Sequence, residues 1–313
     1  MKIVVLEADA VGDVSYEPLA RFGELIVYEH TPDDLVAERV ADADIIVPNK
    51  CLINEKSIGN AHNLKLVCEA ATGYNNIDIE YCESRGIPVK NVRAYSTESV
   101  AQHTFTMLLS LCEHLDHYAG YVESGKYSAS ASFACTDWSY HELSGKRLGV
   151  FGLGAIGRRV AQIASAFGME VVYYSASGHT YDVPYAALEW DDFLSTSDVV
   201  SCHAPLNDLT MAKMNMDAFK KMKRHAIFLN LGRGPIVVEA DLAKALNDGE
   251  IAAAGIDVYE KEPLSSDSPL LKIRDRDRIL MTPHMAWTSV EARRALVEGV
   301  ANNIYEWMTT QKM

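Results

Sequence analysis

The six cysteines of this 313-residue chain form no Cys-x-x-Cys pair, so neither a zinc site nor a dithiol redox centre is indicated. Cys51, Cys68, Cys82, Cys112, Cys135 and Cys202 mostly fall in apolar runs. They read as reduced, buried thiols of a cytoplasmic protein. Basic residues are the minority charge: 29 Lys and Arg against 43 Asp and Glu, a net charge of −14. That balance argues against a nucleic-acid partner and against an anionic membrane surface. No apolar run approaches the ~18 residues that mark a transmembrane helix. The opening Met1–Leu6 run is too short for a signal peptide and is broken by Glu7 and Asp9. Low-complexity segments and convincing internal repeats are likewise missing. What is present is the balance of a folded globular chain, 48% hydrophobic and 23% charged. Its length predicts two domains.

Short β-rich runs alternate with helical patterns from end to end. Ile3–Leu6, Leu25–Tyr28, Asp44–Val47, Leu64–Cys68 and Val89–Val92 form a first set. Arg147–Phe151, Glu170–Tyr174, Asp198–His203, Ala226–Leu231, Ala252–Val258 and Arg278–Met281 form a second. These runs are near-continuously apolar rather than alternating, which fits parallel strands covered on both faces. Between the sets, the pattern predicts one long apolar helix over Thr97–His117, followed by an aperiodic polar stretch over 124–144. Ala295, Leu296, Val300, Ile304 and Trp307 predict an amphipathic helix in the 289–313 tail.

Gly152-Leu153-Gly154-Ala155-Ile156-Gly157 is a G-x-G-x-x-G placed directly after a strand and opening a helix, the context a dinucleotide site requires. Gly152 permits the tight turn, Gly154 lets backbone approach a pyrophosphate, and Gly157 lets helix and strand pack. Ala155 and Ile156 lie in the first helical turn, where N–H groups stabilise anions. The next strand should end at the adenosine ribose, where NAD enzymes often carry Asp or Glu. Ser175 stands there instead, with no carboxylate to repel a 2′-phosphate and no neighbouring Arg or Lys to bind one. The reading favours NAD and leaves NADP open.

Three further segments follow predicted strands: Asn230-Leu231-Gly232-Arg233-Gly234, Asp257 to Pro263, and Thr282-Pro283-His284. Taken singly, each has a plain reading as a surface charge or turn. In this order, with the glycine motif and His203-Ala204-Pro205-Leu206, the chain resembles the D-2-hydroxyacid dehydrogenase family along its whole length. Asn49-Lys50 and Tyr95-Ser96-Thr97 are most similar to its glycerate dehydrogenase (hydroxypyruvate reductase) members. The resemblance implies a flavodoxin-like substrate domain (1–96 plus 286–313) into which a Rossmann cofactor domain (97–285) is inserted, with a cleft between two doubly wound parallel sheets. It also implies a homodimer to which the Thr97–His117 helix contributes.

The implied catalytic set is Arg233, Glu262 and His284. Arg233 offers a planar fork to the carboxylate and carbonyl of a 2-keto acid. His284 exchanges a proton with the carbonyl oxygen. Glu262 orients the imidazole. By the same resemblance, Asp257 holds the nicotinamide carboxamide, and Leu231, His203 and Pro205 line the cofactor. Thr72, Gly73 and Tyr74 bind the substrate carboxylate, with Lys50 nearby. Three positions depart from the family pattern: Gln102, where many relatives have Glu, Asn207-Asp208 and Ser175. The expected reaction is NAD(P)-dependent interconversion of a small 2-keto acid and its D-2-hydroxy acid, with hydroxypyruvate and glyoxylate ahead of pyruvate. The alternative is an NAD(H)-sensing, corepressor-like protein on the same fold. Formate oxidation is disfavoured because that branch carries Gln at the Glu262 position.

Overall fold

A computed structural model describes residues 1–311. It contains two compact units: Met1–Ser96 with Trp287–Met313, and Thr97–Ala286. The last two residues of the tail helix as read from sequence, Lys312 and Met313, lie outside the described residues.

The first unit is built on five parallel strands, β1 (Lys2–Val5), β2 (Glu24–Val27), β3 (Ile45–Val47), β4 (Leu66–Glu69) and β5 (Val89–Asn91). Their order, β2-β1-β3-β4-β5, is the 2-1-3-4-5 arrangement of flavodoxin-like sheets. Both faces of the central strands are covered, which explains the unbroken apolar runs Ile3–Val5, Ile45–Val47 and Leu66–Cys68. Ile3, Val5, Ile45, Val47, Leu66 and Cys68 face the C-terminal helix, Val290–Thr310, through Leu296, Val297, Val300, Ile304 and Trp307. Val4, Ile46 and Val67 pack on the other side against Val36, Val40, Ile58 and Cys82. Each fully buried aliphatic side chain of this kind stabilises by about 1.5–3 kcal/mol. Ser289 caps the C-terminal helix by accepting from the Ala292 N–H.

The second unit carries seven parallel strands: β6 (Arg147–Phe151), β7 (Glu170–Tyr174), β8 (Ala186–Ala187), β9 (Val199–Cys202), β10 (Ile227–Asn230), β11 (Ala253–Ile256) and β12 (Ile279–Met281). They lie in the order β12-β11-β10-β9-β6-β7-β8. Counted from β6, this is a Rossmann sheet with one added strand, and the order of its strands reverses between β6 and β9. Six strands are predicted from sequence; β8 is the seventh. It has two exposed alanines and carries no apolar pattern to reveal it.

The predicted Thr97–His117 helix is two helices, Thr97–Glu113 and Leu115–Glu123. His114 adopts a left-handed conformation (φ +53°) between them, which breaks the hydrogen-bond ladder that the apolar spacing alone would continue. The first helix packs on the Ala155–Ala166 helix and on β10 and β11. No helix or strand lies between residues 124 and 144. All six cysteines are free, and Cys51, Cys68, Cys82 and Cys202 are buried. Among the described residues, no helix is long and apolar enough to cross a membrane, and no three His, Cys, Asp or Glu side chains could hold a metal ion.

Candidate active site

The carboxyl edge of a parallel sheet collects the loops that follow its strands. In the second unit these are the glycine loop after β6, Ser175 after β7, His203–Pro205 after β9, and three loops after the adjacent strands β10, β11 and β12. The last three carry Arg233, Glu262 and His284.

The glycines of the first loop have separate reasons. Gly152 has φ +92°, and a Cβ there would meet Ala204 Cα at 2.6 Å. A Cβ on Gly157 would meet the Gly152 carbonyl oxygen at 2.2 Å. Gly154 has open space around its Cβ position and begins the Ala155–Ala166 helix without a side-chain cap. The first-turn N–H groups at Ala155 and Ile156 therefore face no capping side chain, which suits a bound anion. His203 adds a second polar feature beside this loop. Its Nε2 pairs with Ser201 Oγ at 2.8 Å, while Nδ1 is buried without a hydrogen-bond partner among the described residues. Burial holds this imidazole well below its usual range, so it is neutral. The open glycine edge, the uncapped helix and the orphaned nitrogen all fit a pyrophosphate-bearing dinucleotide. Pro205 and Leu231 flank the edge, and Leu231 is buried. Ser175 Oγ lies 3.3 Å from Ser177 Oγ.

Arg233 sits in a turn clamped by fully buried Asn230, whose Oδ1 accepts from the Gly232 N–H at 3.2 Å and whose Nδ2 donates to the Arg233 carbonyl at 3.1 Å. The turn presses on the next loop. A Cβ on Gly234 would fall 1.8 Å from the Tyr259 carbonyl oxygen. Glu262 accepts from the Tyr259 N–H at 3.1 Å through Oε1 and pairs with His284 Nδ1 at 2.7 Å through Oε2. Nδ1 is thereby committed, which leaves Nε2 as the ring atom for a substrate. The His284 and Glu262 side chains are 25% and 30% exposed, so the pair is open to a ligand. His284 is held at φ +52°, a conformation worth about 1–3 kcal/mol of strain.

Asp257, expected at the nicotinamide, has another set of partners. Its Oδ1 accepts from Thr282 Oγ1 at 2.6 Å and from the Met285 N–H at 2.9 Å; its Oδ2 accepts from the Ala286 N–H at 3.0 Å. At 1% exposure, this carboxylate is a clamp on the His284 segment. Glu239 does the same for the Glu262 loop, accepting from the Glu260 N–H and from Ser268 Oγ, both at 2.9 Å. Neither clamp is visible in the sequence, because each pairs with backbone or with distant residues.

The first unit brings its own predicted residues to one edge. Lys50 follows β3 and Thr72–Tyr74 follow the neighbouring β4. Glu7, which in the sequence only interrupts the opening apolar run, gathers the N–H groups of Asn49, Lys50 and Cys51 on one oxygen at 2.7–2.9 Å. Asn49 Nδ2 ties that loop to the Ala70 carbonyl at 2.7 Å. Thr72 Oγ1 donates to the Val92 carbonyl at 2.8 Å, and Tyr74 is exposed.

Beneath them lies Glu69, fully buried, with Oε1 unpartnered among the described residues and Oε2 reached by Asn76 Nδ2 at 3.4 Å. Burial pushes its carboxyl up to about 9. An unfolded Glu titrates near ~4.3. The native state therefore holds the extra proton between these values, and stability falls as pH rises through that window. Glu69→Gln removes the penalty. It should be more stable than the wild type by roughly 5 kcal/mol at pH 8, with the gap closing near pH 4. Urea denaturation at both values checks this; equal stability at pH 8 refutes it.

Residues 105–286 match the D-isomer specific 2-hydroxyacid dehydrogenase, NAD binding domain family. The chain is 38% identical to a hydroxypyruvate reductase of Blautia hydrogenotrophica, across 98% of this chain and 97% of that one. It is 33% identical to a glyoxylate reductase of Pyrococcus furiosus, across 97% and 92%. Among solved structures, D-lactate dehydrogenase from Aquifex aeolicus, complexed with NAD and lactic acid, superposes with a TM-score of 0.84 at 26% identity, covering 99% and 96% of the two chains. Fold, glycine loop and sequence all lead to one conclusion: the chain belongs to the D-isomer specific 2-hydroxyacid dehydrogenase family and is an NAD(P)-dependent oxidoreductase.

Proposed function

We propose that this chain reduces hydroxypyruvate or glyoxylate, and pyruvate less readily, to the D-2-hydroxy acid. The observation that carries the reading is the His284 Nδ1 to Glu262 Oε2 bond at 2.7 Å beside the Arg233 turn. The Gly152–Gly157 loop, with Ser175, His203, Pro205 and Leu231 around it, would hold the dinucleotide, which when bound would supply the hydride for the carbonyl carbon. Arg233 binds the substrate carboxylate and polarises the ketone oxygen with its guanidinium. His284 Nε2 delivers the proton to that oxygen, so that hydride and proton together convert C=O to CH–OH. The charge left to reorganise on the imidazole is balanced by the Glu262 carboxylate, which also holds Nδ1 as the N–H nitrogen. Small side chains on the substrate are favoured by analogy with the hydroxypyruvate and glyoxylate reductases above.

Initial rates with NADH and NADPH on hydroxypyruvate, glyoxylate and pyruvate test this. Turnover should be highest with the first two, and with NADH over NADPH. Binding of NADH without turnover of any of the three would refute the substrate assignment. A preference for NADPH would show that Ser175 belongs to a 2′-phosphate site.

A further inference from the structure

His103 lies on the Thr97–Glu113 helix, far in sequence from the His284 loop, yet it reaches that loop's anchor. Its Nε2 is 3.1 Å from Thr282 Oγ1 and 3.8 Å from Asp257 Oδ1. The side chain is 13% exposed. The hydrogen-bond directions follow from what each group can do. The Asp257 carboxylate accepts only, and already takes the Met285 and Ala286 N–H groups. The one hydroxyl proton of Thr282 therefore goes to Asp257 Oδ1, 2.6 Å away. Thr282 Oγ1 must then accept, and His103 Nε2–H is the donor.

We infer that His103 is a positioning residue for the catalytic histidine, acting through Thr282 and Asp257 as a donor chain that holds the 282–286 segment and with it the left-handed backbone of His284. The inference rests on the proposed role of His284. The segment needs such a restraint. His284 sits at φ +52°, and a strained conformation persists only where its surroundings over-determine it. Its own N–H donates to the Asp257 carbonyl at 2.8 Å and to the Thr282 carbonyl at 3.0 Å. The next two N–H groups are held by the Asp257 carboxylate, so one aspartate grips three successive residues. The orientation of that carboxylate depends on the Thr282 hydroxyl, and the Thr282 hydroxyl on His103. Burial lowers the His103 proton affinity, while Asp257 opposes that shift; the neutral ring suits a single Nε2–H donor.

The test has an arm that does not depend on turnover. In the full-length enzyme at pH 8, long-range 1H–15N correlation should find His103 as the Nε2–H tautomer, its signals assigned by their loss in His103→Gln. Amide hydrogen exchange at Met285 and Ala286 should accelerate about tenfold in His103→Leu and Thr282→Val. It should stay near wild type in His103→Gln and Thr282→Ser, which keep the donor and the hydroxyl. With NADH and hydroxypyruvate, kcat should fall about tenfold in the first pair while the NADH dissociation constant holds, because small misplacement of a reacting group is costly. An Nδ1–H tautomer, or unchanged exchange at residues 285 and 286, overturns the inference whether or not the enzyme turns over. Accelerated exchange with no wild-type turnover on any keto acid would leave the chain of donors standing and refute the proposed reaction instead.

Discussion

His284→Asn will reduce kcat for keto-acid reduction by about 10³-fold, within the 10²–10⁴ range expected for a positioned general acid. Asparagine is the informative replacement. His284 occupies φ +52°, and Asn tolerates the left-handed region better than Ala or a branched residue. The loop should therefore keep its course, with the main-chain bonds to Asp257 and Thr282 intact. What is lost is a group that can hold a proton at Nε2 while Nδ1 stays bonded to Glu262. NADH affinity, read by fluorescence, should change less than twofold, because the glycine loop and the β6 edge lie on other strands. A variant within tenfold of wild-type kcat would refute the proton-donor role. A variant that lost NADH binding as well would point to collapse of the loop rather than loss of the acid.

Arg233→Lys is expected to lower kcat/KM by about 10²–10³-fold, the scale of removing a preorganised donor from a developing oxyanion. Charge survives in this variant, but the planar two-pronged geometry does not. The turn itself should survive, since it is built by Asn230 and by the contact of Gly234 with the Tyr259 carbonyl. The defect should appear in both constants: KM rises because the carboxylate loses a bidentate partner, and kcat falls because the ketone is less polarised. Added guanidinium ion should restore part of the activity of Arg233→Ala and none to His284→Asn. A lysine variant with wild-type kcat/KM would show that positive charge alone suffices and that the fork has no role.

Both variants probe residues that can be located without a structure, and the reason is chemical. Arg233 lies in a Gly-Arg-Gly turn, Glu262 before a proline and His284 after one, each just beyond an apolar strand. Parallel strands deliver their carboxyl ends to one edge, so reactive side chains placed there in sequence converge in space. The eleven predicted strands occur within a few residues of their expected limits, and most are legible because burial on both faces imposes an unbroken apolar run. The two-residue β8 escapes detection for the opposite reason: its exposed alanines bury nothing. The break at His114 is also illegible, since a single left-handed residue leaves the apolar spacing of the helix undisturbed.

Supporting residues divide in the same way. Glu7 and Glu69 each stand at the end of an apolar strand, and an isolated acid in such a place has an exposed reading and a buried one that look alike in sequence. Only packing shows that Glu7 gathers three loop amides and that Glu69 lacks a full set of partners among the described residues. Asp257 shows the difference most directly. Its position after β11 marks it for the active edge, while its bonds to residues 282–286 reveal a clamp on the His284 segment.

The sequence by itself determined the βα alternation, the glycine loop and which charged and titratable side chains follow the strands at the candidate site. These depend on residue type, hydrophobic period and short spacing, all local properties. The tertiary structure decided which oxygen meets which donor: Glu262 on His284, Asp257 on two successive amides, His103 on Thr282 across 179 residues. Such pairings arise only when the loops after different strands are brought to one edge. Their directional, distance-limited bonding leaves no periodic trace along the chain.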